Sequence, residues 1–450
     1  MRLAWHDLGT PRADKAHGKT VEIRGWPTTA LPGARRADSF LLTPEPGCCI
    51  TCLPRHPLTA IEVTADTAID FQSSALRLTG TLHVETGDRD QWRYQLRDAQ
   101  LRDSGPVGGL TRRSLIAAST LVCLPVVSRA QVPAGVTVDI HSHAGNAIHV
   151  HTQGGNEPFG PVAETMRQGG LAVVCMAAVA DSPTTNVSEG RIRPYRNPKP
   201  GELYAHIQLG FARLHKLARE QGMPIIRDAA GLRAATAQQP SMIVSCEGAD
   251  FTEGKPERVD EAYQKWQLRH LQLTHYRPNE LGDIQTEPAV HGGLTDAGVE
   301  VIRRCNKLGV VVDVAHGTYD LVKRAASVTT KPLVLSHTGL SNRQNLWTRL
   351  ITSDHAKAIA ATGGVIGIWP VATAASIRAY ADNFFRMIDV VGIDHVGLGT
   401  DQMGLLGPSC MPSYADLPQL AAALRGKFTE VETAKLLGGN YRRVFEATLV

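Results

Sequence analysis

The chain has 450 residues, of which 43% are hydrophobic and 20% are charged, and this composition is typical of a folded globular protein rather than a disordered or coiled-coil one. The length predicts two domains. The formal net charge of +4 is small for this length, and no basic segment is interleaved with aromatic residues, so we expect no nucleic-acid partner. Of the 8 cysteines only Cys48, Cys49 and Cys52 cluster, which argues against a disulfide framework.

Residues 1–105 contain short β-rich segments separated by turns that are rich in proline and glycine. The segments are TVEIRGW, SFLLT, AIEVTAD, LRLTGTLHVET and WRYQLRDAQL. Several alternate apolar and polar residues, as half-buried strands do, so we expect a small β-barrel or β-sandwich. The cysteine cluster at 48–52 could bind a metal or exchange disulfides, but no second ligand pair follows at zinc-finger spacing. The function of this module stays open.

Residues 106–130 have the order of a twin-arginine export signal. Arg112 and Arg113 are followed by the apolar run IAASTLVCLPVV and then by the small-x-Ala sequence Ser128-Arg129-Ala130. The run is too short to span a bilayer comfortably. We therefore expect a periplasmic location, with an ordinary buried helix in a linker as the alternative interpretation.

The internal position of this segment is unusual, because export signals normally lie at the N-terminus. Three explanations stay open: the preceding residues are a cytoplasmic module fused ahead of the signal, translation starts near residue 107, or the segment is an uncleaved anchor. Contact with the membrane is expected only if the segment is left uncleaved.

Residues 131–450 alternate apolar segments with longer amphipathic helical patterns. The apolar segments are residues 136–140, 171–179, 242–246, 271–274, 310–315, 332–336, 364–368 and 395–400. Strands that are buried on both faces and alternate with helices predict a parallel (β/α)8 barrel of the TIM type.

Six of these segments run into side chains that bind metals or transfer protons. In chain order these are His141 and His143, Glu247, His275, His316, His337 and Asp401. The carboxyl ends of barrel strands share one face, where catalytic sites are built. Imidazole and carboxylate groups are zinc ligands, one glutamate can bridge two cations, and water held between them becomes a nucleophile near neutral pH. The sequence therefore predicts two Zn²⁺ ions, or another divalent metal, in a hydrolase site.

Two further features near this site are interpreted as bystanders. His149 and His151 form a second His-x-His motif, but they follow a loop instead of an apolar strand. Cys246 precedes Glu247 within an apolar strand, so we expect a buried thiol and not a nucleophile.

Several segments resemble the membrane dipeptidase (renal dipeptidase) family of zinc peptidases. They are VDIHSH, SCEGAD, LTH, GGLTDAGVEVIRRCNKLGVVVDVAH, KPLVLSH, RLITSDHAKAIAATGGVIGI, VGIDHVGLGTD and LLGGNYRRVF, in family order over about residues 136–446. The resemblance implies a zinc-dependent dipeptidase that hydrolyses the amide bond of small dipeptide-like substrates through a metal-bridging hydroxide. It also implies that His141 and His143 hold one zinc ion, His316 and His337 the other, and that Glu247 bridges them.

The resemblance implies roles for three more residues. His275 would polarise the scissile carbonyl of the bound substrate and stabilise its oxyanion. Asp401 would take the proton from the attacking water and pass it to the leaving amine. Arg349 would bind the terminal carboxylate of the substrate, with Arg343 as the fallback assignment.

The chain departs from the family pattern in three places. The family has His-x-Asp where this chain has His141-Ser142-His143, which makes the site about one charge more positive and predicts a more acidic bridging water. Gln402-Met403-Gly404 replaces an acidic-aromatic segment, and Trp369-Pro370 replaces an aromatic-rich one. Because both lie where substrate would bind, another amide, lactone or ester hydrolase of the metal-dependent amidohydrolase class is the alternative. A binding protein without turnover, and a homodimer, are also left open.

Overall fold

The computed structural model describes residues 1–8, 10–28, 36–43, 60–70, 75–84, 94–103, 135–148, 158–188, 191–341, 349–370, 376–405 and 409–449. These residues fall into two compact units, one within 1–103 and one within 135–449. The cysteine cluster, the signal-like segment, His149, His151 and Arg343 lie outside the described residues. The predicted domain boundaries near residues 105 and 130 also lie outside them. The interpretations of all these features therefore stay predictions. Within the described parts of the chain, no helix has both the length and the apolar character needed to cross a bilayer.

The N-terminal unit is a closed five-stranded β-barrel. Its strands are β1 (Thr20–Thr28), β2 (Arg36–Thr43), β3 (Ile61–Asp70), β4 (Leu76–Val84) and β5 (Tyr94–Asp103), preceded by a 3-10 turn (Trp5–Asp7) and helix α1 (Pro11–Asp14). They are ordered β1-β2-β3-β5-β4, and only β3 and β5 pair in parallel. Along β4 every second residue from Leu76 to Leu82 is buried, so the predicted alternation produces the interior.

The second unit is a closed barrel of eight parallel strands. These strands are β6 (Val138–Ser142), β7 (Val173–Val179), β10 (Ser241–Glu247), β11 (Leu268–Gln272), β12 (Val311–Asp313), β13 (Val334–Thr338), β14 (Val365–Ile368) and β15 (Val396–Leu398). The barrel closes where β15 pairs with β6, with Leu398 opposite Asp139. A separate hairpin, β8 (Thr185–Ser188) and β9 (Arg191–Pro194), follows β7. The predicted TIM-type barrel with a small β-rich module ahead of it is confirmed.

Helices connect the barrel strands. They are α2 (Val162–Gly169), α3 (Glu202–Glu220), α4 (Ala229–Ala234), α5 (Glu257–Trp266), α6 (Asp296–Leu308), α7 (Tyr319–Val328), α8 (Ser353–Ala361), α9 (Ile377–Val391), α10 (Leu417–Arg425), α11 (Glu430–Ala434) and α12 (Asn440–Thr448). Short 3-10 turns occur at Ser182–Thr184, Asp250–Thr252, Ile393–His395 and Tyr414–Asp416, and a π-helical turn at Lys435–Gly439.

The starts of four successive barrel helices are set by hydroxyl side chains. Helices α6, α7, α8 and α9 follow Thr295, Thr318, Thr352 and Ser376, and each hydroxyl accepts a hydrogen bond from a backbone amide of the first turn. These caps satisfy amides that have no partner within the helix. They fix where each loop at the catalytic face ends and the next helix begins.

The fourth barrel strand begins earlier than the sequence predicts, at Leu268 and not at 271. The reason is that Arg269 and His270, which look like loop residues, are buried. Within the barrel, His270 Nε2 lies 3.2 Å from Asp313 Oδ2 and His270 Nδ1 lies 2.9 Å from the Tyr441 hydroxyl. Buried polar groups that are paired in this way are compatible with a strand interior.

Candidate metal centre and active site

The predicted strand-end side chains converge on one carboxylate at the carboxyl end of the barrel. Glu247 is the last residue of β10, and the His141, His143, His275, His316 and His337 side chains all place Nε2 within 3.6 Å of one of its oxygens. All of these side chains are buried. The face that carries them is the one on which parallel barrels build active sites.

His141 and His143 form one group with Glu247. The two Nε2 atoms lie 3.2 Å apart, and His143 Nε2 is 3.0 Å from Glu247 Oε2. His143 Nδ1 lies 3.0 Å from the carbonyl oxygen of Ala177. Because a carbonyl can only accept, Nδ1 carries the proton in a neutral ring and the Nε2 lone pair faces the site, as a metal ligand requires. The structure thus places His143 beside Glu247 at the carboxyl end of β6.

His316 and His337 form a second group beside Oε1 of Glu247, the oxygen that His141 Nε2 also approaches at 3.5 Å. Their Nε2 atoms lie 3.2 Å apart, and they are 3.2 and 3.6 Å from Glu247 Oε1. His316 has a φ of +68°, a left-handed backbone conformation that is uncommon outside glycine and turns the ring out of the strand direction. One carboxylate therefore stands between two pairs of imidazoles.

The donor set fits a metal centre. The groups His141–His143–Glu247 and Glu247–His275–His316 each place their ligand atoms within 4.8 Å of one another, close enough to share an ion. Imidazole nitrogen and carboxylate oxygen are the ligands that zinc and similar divalent ions take in proteins. Oδ1 of Asp401 is buried beside this set and has no hydrogen-bond partner.

The charge states of Glu247, His316 and His337 also suit metal binding. Burial alone would raise the pKa of the Glu247 carboxyl, but the neighbouring His275 and His141 hold that pKa well below its usual range. Burial lowers the pKa of both His316 and His337 far below the usual value, and the Arg349 guanidinium adds to the effect on each. An ionised glutamate and neutral imidazoles are the forms that coordinate cations.

His275 differs from the other imidazoles because it has a carboxylate partner. Its Nδ1 donates to Asp181 Oδ1 at 2.7 Å, and its Nε2 lies 3.3 Å from Glu247 Oε2. Burial lowers the pKa of His275, but the charges of Asp181 and Glu247 outweigh it and raise the pKa to about 9. A ring that is protonated at neutral pH presents an N–H donor to the site.

Sequence reasoning missed Asp181. It stands two residues beyond the end of β7, at the same rim as the other strand-end residues, and it is fully buried. An acidic residue directly after an apolar run is the signal that could have identified it. Its second oxygen accepts from the backbone amide of Tyr276 at 2.9 Å, which ties the loop after β11 to the end of β7.

Asp401 follows β15 with a φ of +49°. Its Oδ1 lies 3.5 Å from His143 Nε2 and 3.9 Å from His141 Nε2. Burial raises the pKa of Asp401, while the two histidines oppose that rise. At Gly404 a Cβ atom would collide with Asp401 Oδ1, so a larger residue there would force this carboxylate to shift.

Arg349 reaches the site from the segment before α8. Its Nη1 donates to Gln285 Oε1 at 3.1 Å and its Nη2 to His337 Nε2 at 3.0 Å. Its Cζ lies 5.5 Å from the ring centre of Trp369. The Nε of Arg349 is buried and has no acceptor, so the guanidinium keeps a donor for a further partner.

Cys246 is buried, as predicted, and its Sγ donates to the carbonyl oxygen of Gly248 at 3.3 Å. Burial raises the pKa of this thiol well above its usual value. The thiolate that nucleophilic catalysis needs is therefore disfavoured.

The family model described as membrane dipeptidase (Peptidase family M19) matches residues 162–449. The chain belongs to the membrane dipeptidase family. This confirms the resemblance seen in the sequence. The chain is similar to Dipeptidase aclJ of Aspergillus oryzae, with 29% identity over 195 residues. It is also similar to Dipeptidase verJ of Clonostachys rogersoniana, with 26% identity over 188 residues.

Each of these two matches covers 40% of this chain, and they cover 46% and 48% of the relatives, so the chain spans about half the length of the curated relatives it matches. Among solved structures, the probable dipeptidase PvdM from Pseudomonas aeruginosa aligns with a TM-score of 0.58 at 17% identity, over 70% of this chain and 96% of that one. A metallopeptidase from Rhodobacter sphaeroides, liganded with a phosphinate mimic of L-Ala-D-Ala, aligns with a TM-score of 0.57 at 21% identity, over 70% and 99%. At such identities these two structures support the fold alone.

Proposed function

We propose that this chain is a dipeptidase that uses two Zn²⁺ ions to hydrolyse the amide bond of small dipeptide-like substrates. One observation carries the proposal: the Glu247 carboxylate lies between two pairs of imidazoles, with His143 Nε2 3.0 Å from Oε2 and His316 Nε2 3.2 Å from Oε1. A carboxylate in that position can bridge two cations. Membership of the membrane dipeptidase family supports the substrate class.

The ligands divide into two sets. His141 and His143 would hold one ion, His316 and His337 the other, and Glu247 both. When bound, the ions supply Lewis acidity and lower the pKa of water to near neutrality. His275 lies within ligand distance too, but its pairing with Asp181 favours the protonated ring, which cannot coordinate. It is therefore assigned to the substrate.

The remaining residues bind the substrate and move protons. The Nε2–H of His275 donates to the scissile carbonyl oxygen and stabilises the negative charge that develops there. Arg349 pairs with the terminal carboxylate of the substrate, for which a guanidinium is suited. Asp401, with its pKa raised by burial, accepts the proton of the attacking water and delivers it to the leaving amine.

A second candidate is favoured by one observation. His143 takes a ligand position that the family pattern gives to aspartate, and His-x-His at the first strand is the usual form in the wider class of metal-dependent amidohydrolases. Trp369 and Met403, near the substrate position, also depart from the family pattern. Hydrolysis of another amide, a lactone or an ester is therefore the alternative reaction.

Metal analysis combined with a substrate panel tests the proposal. The purified full chain is loaded with Zn²⁺, its metal content is measured, and release of free amino acids is followed for dipeptides of L,L and L,D configuration. Two Zn²⁺ per chain with dipeptide turnover is the expected result. Bound metal with turnover only of lactones, esters or other amides would favour the alternative reaction, and a chain with neither metal nor turnover would be a binding protein.

We also propose that the chain is exported to the periplasm by the twin-arginine pathway, which transports folded proteins and so suits an enzyme that is loaded with metal first. The order of residues 106–130 supports this. Replacing Arg112 and Arg113 by lysine should keep the protein in the cytoplasm of a bacterial host, as judged by cell fractionation. Export that is unaffected by this double substitution would contradict the assignment.

A further inference from the structure

The hydroxyl of Ser336 lies between two of the imidazoles assigned to different metal ions. Ser336 precedes His337 on β13 and is fully buried. Its Oγ is 2.9 Å from His337 Nδ1 and 3.5 Å from His141 Nδ1, and the centres of the two rings are 4.2 Å apart. One side chain thus contacts a ligand of each proposed ion on the side of the ring away from Glu247.

This contact favours the form of each imidazole that carries its proton on Nδ1. An imidazole that coordinates through Nε2 carries its proton on Nδ1 and needs an acceptor there. A serine oxygen has two lone pairs, so it can accept from both Nδ1–H groups at once. The 2.9 Å contact to His337 is the stronger, and the 3.5 Å contact to His141 is at the outer limit for a hydrogen bond.

The backbone holds this hydroxyl in place. The amide of Ser336 donates to Asp313 Oδ1 at 3.1 Å, and Asp313 is itself fixed by the amide of Ala315 at 2.9 Å and by His270. On the opposite side, a Cβ atom at either Gly367 or Gly399 would lie 1.8 Å from the Ser336 carbonyl oxygen. Only glycine at both positions allows the neighbouring strands to approach this closely, so β13 has little freedom to shift here.

We propose that Ser336 is a positioning residue that orients His141 and His337, one ligand of each metal ion, through a single shared hydroxyl. The inference rests on the proposed metal centre, but it concerns metal affinity and not the identity of the substrate. The resemblance to the membrane dipeptidase family assigns no role to Ser336. Outer ligand partners of this kind typically change metal affinity by about 10- to 100-fold when they are removed.

The test compares Ser336→Ala with Ser245→Ala. Ser245 is buried on β10 of the same barrel, and its Oγ has no hydrogen-bond partner, so its replacement removes the same atom without removing a contact. Zn²⁺ affinity of the full-length wild type and both variants is measured by competition with a chromophoric chelator. Ser336→Ala should bind at least one Zn²⁺ about 10- to 100-fold more weakly, with the larger loss at the ion held by His337, and Ser245→Ala should bind as the wild type does.

Circular dichroism of the metal-free proteins checks that the variants fold. Should Ser336→Ala fail to fold, Ser336→Cys keeps a side chain of similar shape with a weaker acceptor and should show the same loss in smaller degree. Unchanged affinity in the Ser336 variants, or an equal loss in Ser245→Ala, would overturn the inference. A wild type that binds two Zn²⁺ without dipeptide turnover would overturn the proposed substrate, while a selective loss in Ser336→Ala would still support the role of Ser336. A wild type that binds no Zn²⁺ would overturn both.

Discussion

The carboxylate of Asp181, beyond the end of β7, holds the imidazole of His275, which follows β11, through a hydrogen bond of 2.7 Å. The other carboxylate oxygen accepts from the Tyr276 amide, so both the ring and its backbone are fixed to the same group. This pair keeps a charged N–H donor aimed into the site beside Glu247. The Nδ1 atoms of His143 and His337 face a carbonyl oxygen and a hydroxyl instead of a carboxylate, and this difference separates His275 from those two imidazoles.

Asp181→Asn should therefore lower kcat for dipeptide hydrolysis by about 10- to 100-fold, because the donor that stabilises the oxyanion loses its charged partner. The Zn²⁺ content should stay at the wild-type value, because the Asp181 carboxylate contacts His275 and the Tyr276 amide, neither of which is a proposed metal ligand. Steady-state kinetics and metal analysis on the same samples check both. A variant that loses zinc together with activity would show that His275 is a metal ligand instead.

The pH–rate profile should report the extra histidine of the metal site. In wild type, His143 leaves the site about one charge more positive than a carboxylate would, so the catalytic water should ionise at lower pH. His143→Asp should move the acid limb of kcat/KM to higher pH, by up to about one unit. Superimposable acid limbs in the two proteins would contradict this electrostatic argument.

Arg349→Ala should weaken recognition of the substrate carboxylate. A charge-assisted, bidentate contact of this kind contributes about 1.5–3 kcal/mol, so kcat/KM for a free dipeptide should fall by about 10- to 100-fold. The corresponding dipeptide amide, which lacks the negative charge, is the control and should be hydrolysed nearly equally by both proteins. Equal losses on the two substrates would instead indicate that Arg349 positions His337 and does not bind the substrate carboxylate.

The stability of the barrel should fall in mild acid because of His355. Burial lowers the pKa of this residue from 6.5 to about 4. The folded state therefore favours the neutral ring. As pH falls below 6.5, the unfolded chain binds a proton that the folded chain does not, so the free energy of unfolding decreases until pH reaches about 4. Between pH 7 and pH 5 this loss amounts to about 2 kcal/mol.

His355→Phe removes the titrating group and keeps an aromatic ring beside Tyr319. The difference in free energy of unfolding between pH 7 and pH 5, from urea titrations at constant metal loading, should shrink by about 2 kcal/mol relative to wild type. His291→Gln, at an exposed position, should leave that difference unchanged. If the His355 and His291 variants behave alike, the buried ring is not the source of the acid sensitivity.

The strand-end residues could be predicted from the sequence because each follows an apolar run. In a parallel barrel the carboxyl ends of the strands share one face, so the order of His141, Glu247, His316 and His337 along the chain was enough to bring them together. The same rule located Asp401. What the chain order alone did not provide was which imidazole would have which partner.

The missed features depend on pairs that are distant along the chain. Asp181 can be recognised as a site residue only through its hydrogen bond to His275, which is 94 residues away. The early start of β11 depends on the pairing of His270 with Asp313, which is 43 residues away. A polar residue inside an apolar segment looks like a loop until its buried partner is known. Ser336 is similar, because its second contact, His141, is 195 residues earlier.

The metal content of Glu247→Ala tests the central claim most directly. Wild type and variant, both full length, are dialysed against Zn²⁺ and then against metal-free buffer, and zinc per chain is measured by inductively coupled plasma mass spectrometry. The account predicts two zinc ions per wild-type chain and the loss of both in the variant, since a single carboxylate completes both ligand sets. One ion per wild-type chain, or a variant that retains two, would contradict it.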